Sequence, residues 1–132
     1  MKTPPRWLSR QVVDVIHEDQ RQQHGGNAGV LDENIIGSAL ARARHRFEYT
    51  GAGLLECAAC CIFGLAKNHG YVDANTRTAF MTGLTFLRVN GVAIDAAPED
   101  VLRLMLDVAT DVQDESDITE WLRVRARKFG HK

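Results

Sequence analysis

Leu54-Leu-Glu-Cys-Ala-Ala-Cys-Cys-Ile-Phe-Gly-Leu-Ala-Lys67 is the stretch that decides the fold. Only Glu56 and Lys67 carry charge, so no side of a helix drawn through it is polar. A helix that is apolar on nearly all sides is buried on nearly all sides, and the stretch therefore predicts a central helix on which the others pack. Its longest charge-free run, Cys57 to Ala66, is half the ~20 residues that a membrane span needs. Cys57, Cys60 and Cys61 lie within it. An odd count so closely spaced is a poor disulfide framework. With Ala58, Ala59, Ile62 and Phe63 as neighbours and no second ligand pair downstream, the three read as reduced core thiols rather than as a zinc or redox site. Such thiols suit a reducing compartment.

Working upstream, Leu8, Val12, Val15 and Ile16 recur at helical spacing behind Ser9, a plausible N-cap. His24-Gly25-Gly26-Asn27 ends that first helix, since paired glycines favour leaving it. Asp32 is a plausible cap for a second helix, with Glu33 favourable in its first turn. Ile35, Ile36, Ala39, Leu40 and Ala43 form its apolar face, and Arg42, Arg44, His45 and Arg46 lie on the other. Phe47-Glu-Tyr-Thr-Gly-Ala-Gly53 is aromatic, β-branched and glycine-rich, which predicts a short flap or one arm of a hairpin.

Downstream, the polar segment Asn68–Asn75 reads as a loop. Helical spacing resumes from Thr76 to Asn90 through Ala79, Phe80, Gly83, Leu84 and Leu87, and Asn90-Gly91 stops it. Pro98 suits the first turn of a fifth helix through Val101, Leu102, Leu104, Met105 and Val108. Ser116 is a plausible cap for a last helix with Ile118, Trp121, Leu122 and Val124. That helix is read as ending in Arg123, Arg125, Arg127 and Lys128, cations suited to the negative helix end.

The 132 residues predict one domain, 1–132, all-α, a compact bundle of about six helices with a possible short flap. A formal net charge of −1 gives no basic field to attract nucleic acid, and no direct nucleic acid binding is expected. The opening Met1-Lys-Thr-Pro-Pro-Arg-Trp7 lacks the apolar stretch of a signal peptide. A cytoplasmic protein with no membrane partner is expected.

His69-Gly-Tyr-Val-Asp-Ala-Asn-Thr-Arg77 gathers groups suited to phosphate chemistry. His69, at the end of a buried helix, is expected to be held firmly, and an imidazole is a side chain suited to proton transfer at neutral pH. Asp73 offers the hard oxygen that Mg²⁺ prefers. Asn75 can cap the next helix or bond the loop. The first-turn amides of that helix and its dipole favour an anion. Arg77 is unfavourable toward the dipole alone and becomes sensible with a phosphate between them. Taken singly, each has a plainer reading as a turn residue, a structural histidine or a surface ion pair.

As a whole, the string resembles the H-x-F-x-[D/E]-[G/A]-N-x-R signature of the Fic/Doc superfamily, with Tyr71 in place of Phe. Thr78-Ala79, Phe86-Leu-Arg-Val-Asn-Gly91, Ile16-His-Glu-Asp-Gln20, His24-Gly-Gly, Asp32 and Ser38-Ala-Leu-Ala-Arg42 resemble its Doc, or death on curing, branch. The resemblance covers roughly residues 10–110. It implies a Fic-type helical bundle and a toxin acting with an antitoxin. It also implies His69 as the base activating a target hydroxyl, Asp73 as the magnesium carboxylate, and Gly70, Ala74, Asn75, Thr76 and Arg77 as the nucleotide- and phosphate-binding positions. ATP and Mg²⁺ are the cofactors implied.

Fic enzymes that transfer AMP usually have Gly where this chain has Ala74, and a second Arg where it has Phe80. Doc-like proteins lack that Arg and act as kinases on elongation factor Tu, which halts translation. Both departures favour the kinase reading over AMP transfer or a binding module that only retains the fold. Thr76 stands where Doc-like sequences have Lys, so the anion site lacks one cation. Gly70, where bulkier residues are common, is read as adding backbone freedom. The inhibitory [S/T]-x-x-x-E-[G/N] helix of many Fic enzymes has no match. Glu33-Asn34 comes closest, with Gly29 at the Ser/Thr position. Restraint is therefore expected from a separate antitoxin, seated near Arg42–Gly53 and the first helix.

Overall fold

The computed structural model describes residues 3–129. The expectations that reach to Met1, and the 1–132 boundary itself, extend outside the described residues. The chain forms helices α1 (Arg10–His24), α2 (Glu33–Thr50), α3 (Leu54–Asn68), α4 (Asn75–Val89), α5 (Pro98–Ala109) and α6 (Glu115–Arg125). Strand β1 (Val92–Ile94) pairs antiparallel with β2 (Ala126–Lys128), Val92 opposite Lys128 and Ile94 opposite Ala126. The all-α bundle of six helices is as the sequence predicts.

α3 is the centre. Every residue from Cys57 to Ala66 except Phe63 is buried, and the helix packs on α4, α2 and α6. Small residues set the closeness of these contacts. A Cβ on Gly83 of α4 would lie 2.4 Å from Ile62, and one on Gly64 would lie 3.1 Å from the Cβ of Ala39 in α2. The three cysteines are buried thiols. Burial pushes Cys61 up to about 12 and raises Cys60 as well, so these two are inert as thiolates.

Four local expectations are corrected. Phe47–Thr50 is the last turn of α2, closed by Gly51 in the left-handed region with its N–H on the Phe47 carbonyl. Helical continuation satisfies those backbone groups without a flap, and only residues 51–53 separate α2 from α3. The last helix is capped by Asp114, two residues before Ser116, through reciprocal bonds with Asp117. It ends at Arg125, and Arg127 and Lys128 lie in β2 because β1 offers an edge to pair with. In α1, Ser9 does cap, accepting from Val12 N–H at 3.3 Å. Its inward face is Val13, His17 and Gln20, however, while Val15 is 69% exposed. Val13 joins the core, but His17 and Gln20 face the site loop and Arg77, so the buried stripe is mostly polar. Among the described residues no helix is long and apolar enough to cross a membrane.

Candidate active site

The segment between α3 and α4 holds the sequence-predicted site. It is bracketed by two left-handed non-glycine residues, His69 (φ 53°) and Ala74 (φ 63°). That conformation costs roughly 1–2 kcal/mol for an L-residue, so the turn persists only because its surroundings fix it.

Those surroundings are specific. Asn75, buried at the start of α4, spends both ends of its amide on one residue: Oδ1 accepts from Tyr71 N–H and Nδ2 donates to the Tyr71 carbonyl, each at 2.9 Å. Of the two roles the sequence left open for Asn75, bonding the loop is the one found. The N-cap position falls to Ala74, with no side-chain cap. The first-turn amides of α4 thus keep the anion-favouring character of an uncapped helix start.

A second strap comes from the chain before α2. Leu31 and Asp32 N–H both donate to the Gly70 carbonyl, at 2.8 and 3.0 Å, and Val72 N–H donates to the Gly29 carbonyl at 3.0 Å. Gly70 is therefore required for close approach, not for freedom. A Cβ there would lie 2.5 Å from Cγ1 of Ile36 and 3.3 Å from the Asp32 carbonyl.

Asp73 accepts from Ala74 N–H at 2.9 Å through Oδ1 and from Asn27 N–H at 3.2 Å through Oδ2. These two amide bonds hold its carboxyl below the usual carboxylate range. It is ionised at neutral pH. Arg77 donates to the Gly25 carbonyl at 2.9 Å and to the Gln20 carbonyl at 3.4 Å. Gly26, at φ 121°, passes so close that a Cβ there would lie 3.3 Å from Asp73 and 3.4 Å from Arg77. The glycine turn after α1 thus runs directly beside both charged groups. Thr76 is half-buried in the first turn.

His69 departs from expectation. Its backbone is fixed as the cap of α3, but its side chain is exposed, and among the described residues its imidazole makes no hydrogen bond or ring contact. The structure brings His69, Asp73, Asn75, Thr76 and Arg77 into one short turn and helix start, while Phe80 is 1% exposed in the core. Among the described residues no cluster of three or more His, Cys, Asp or Glu could enclose a metal. A single ionised carboxylate fits an ion that takes its remaining ligands from phosphates and water, as Mg²⁺ does.

Periodicity missed the α1 residues at this site. The ring of His17, 5% exposed, stacks on Tyr71 with centroids 3.8 Å apart and planes 6° off parallel. The Tyr71 hydroxyl donates to Asp14 at 2.6 Å, and Arg10 pairs with Asp14 at 3.1 Å. Burial and Asp14 raise the phenol, so it stays a donor. The available signal was a buried-face spacing of Val13, His17 and Gln20 with one apolar member.

A family model described as the Fic/DOC family matches residues 7–87. The chain is 30% identical to "Protein kinase doc" of Escherichia phage P1 over 119 residues, covering 89% of this chain and 94% of that protein. It is 41% identical to "Toxin Doc" of Mycolicibacterium smegmatis over 91 residues, 65% of this chain and 69% of that one. With the helical bundle, the site loop and these matches in agreement, the chain belongs to the Fic/DOC family, among relatives of the Doc type.

Proposed function

We propose that this protein is a Doc-type toxin, a transferase that moves the γ-phosphate of ATP to a hydroxyl of a protein target. The target proposed is translation elongation factor Tu, so that translation stops. One observation carries the reading: the short turn that runs from the exposed His69 leads into an uncapped helix start flanked by the ionised Asp73 and by Arg77. His69 takes the proton of the target hydroxyl as its oxygen forms a bond to the γ-phosphorus, and ADP leaves as the bond to the β-phosphate oxygen breaks. Its exposure suits this role, because a macromolecular hydroxyl must reach it. Asp73 would hold Mg²⁺, which supplies charge neutralisation on the phosphates. Arg77 and the α4 amides bind phosphate oxygens, with Thr76 adding only a hydroxyl, while Gly70, Ala74 and Asn75 shape the turn. A partner antitoxin restrains the site in trans.

Phosphate transfer is favoured over AMP transfer by Phe80. A buried phenyl ring at that position contributes no cation for a distal phosphate. Incubation with elongation factor Tu and ATP labelled at either the α- or the γ-phosphate separates the two. Label from γ is expected. Label from α would replace the kinase reading by AMP transfer, and no label from either would point to a binding module.

A further inference from the structure

Among the contacts of α1 with the site, one falls on the peptide group joining Asp73 to Ala74. The Asp73 carbonyl lies 2.9 Å from Nε2 of His17. A carbonyl oxygen cannot donate, so Nε2 carries the hydrogen and donates it. The other end of the same peptide, Ala74 N–H, donates to Oδ1 of Asp73 itself. This peptide plane is therefore held at both ends, from outside by His17 and from within by the carboxylate. Its orientation bears on two things: the left-handed turn at Ala74 and, together with the Asn27 N–H on Oδ2, the direction of the carboxylate.

His17 is itself held. Its ring face lies on Tyr71, whose hydroxyl bonds Asp14 one turn earlier on the same helix. Residues three apart share a helix face, so Asp14 and His17 grip the loop as a pair, one through the tyrosine hydroxyl and one through the backbone of Asp73. A histidine that merely filled space would need neither the parallel stack nor the aimed nitrogen.

We infer that His17 is the positioning residue for the Asp73 carboxylate, acting through the Asp73–Ala74 peptide and not by touching substrate or metal. The inference rests on the reading that Asp73 is the metal-holding group. Outer partners that orient a metal ligand typically change metal affinity by ~10–100-fold when removed.

The test uses the full chain with His17→Phe, which keeps a ring to stack but has no donor, and His17→Gln, which keeps an N–H donor of similar reach. Folding is monitored by circular dichroism. Two measurements are made: amide hydrogen exchange at residues 73–78 without ligand, and uptake of Mn²⁺ in the presence of ADP, followed by loss of the free-ion spin-resonance signal. In His17→Phe, exchange at Ala74 is expected to quicken by about 5–10-fold, the scale of one lost hydrogen bond. Its Mn²⁺ midpoint is expected to rise by ~10-fold or more. His17→Gln is expected to restore both toward the wild type. If folded His17→Phe matches the wild type in both, or if Gln fails as Phe does, the inference is overturned. Should His17→Phe not fold, His17→Asn, whose amide is too short to reach, replaces it against Gln, and equal behaviour of Asn and Gln overturns the idea. A wild type that takes up no Mn²⁺ while the exchange pattern follows expectation would sink the metal reading of Asp73 and support the hold exerted by His17.

Discussion

The seam between α3 and α4 and the seam between α1 and the site loop are built from opposite materials. The first is apolar and made close by small residues, with Gly83 set against Ile62. The second is polar: His17 on the Asp73 carbonyl, Tyr71 on Asp14, Arg77 on the Gly25 carbonyl. Dispersion and burial are non-directional and tolerate small shifts, whereas hydrogen bonds weaken steeply off-axis. The apolar seam can set overall stability while the polar one sets the geometry of a few atoms. Substitutions at the two seams should therefore separate folding from chemistry.

The largest effect is expected at the exposed edge of the loop. His69→Ala should reduce label transfer by ~10²–10⁴-fold, with the melting temperature unchanged, since among the described residues its ring has no partner to lose. Transfer that survives would remove His69 as the base, and a large loss of stability would show that the ring is structural. Next is the apolar seam. Gly83→Ala forces a methyl to within 2.4 Å of Ile62, and overpacking of that kind costs typically ~1–3 kcal/mol. Calorimetry should show a melting temperature lower by several degrees. An unchanged value would mean that the seam has slack.

Tyr71→Phe is smaller. It removes the hydroxyl bond to Asp14 but keeps the stack on His17, for a loss of about 1 kcal/mol in denaturant unfolding. No loss would mean that Asp14 is fully served by Arg10. The loop should also respond to acid. Asp73 is held below the usual carboxylate value by the Ala74 and Asn27 amides. A depressed folded-state pKa gives a contribution that is present above the unfolded value, near ~3.9, and lost as pH falls through the lower folded one. Amide protection at Ala74 should hold from neutral to about pH 4 and decline below it, and Asp73→Asn should flatten that decline. Smallest, and of opposite sign, is Gly37→Ala in α2. A methyl there meets nothing within 4 Å, and replacing a helical glycine should stabilise by roughly 0.5–1 kcal/mol.

What was legible follows the same division. Apolar runs have a period, so α3, the face of α4 and the positions of the other helices could be read directly. The candidate site, His69 to Arg77, could be proposed from the sequence because its residues are contiguous and match a family signature. The polar seam has no period of its own. Spacing alone puts Val13, His17 and Gln20 on one face, but that this face is buried although two of its members are polar depends on the chain packed against it, a long-range fact that α1 alone does not encode. The same holds for Gly70, whose neighbour Ile36 is distant in sequence, and for β2, which extends only because β1 is there to pair with.

The buried thiols of α3 have a practical use. Cys60 and Cys61 sit inside the bundle with their ionisation suppressed by burial. An alkylating reagent can reach them only when the central helix opens. Their labelling rate, divided by the rate for an exposed thiol, gives the opening equilibrium of that helix. The protein thus carries its own clock for core opening, about two helical turns from the site loop, and any substitution at the loop that leaves this clock unaltered has acted locally.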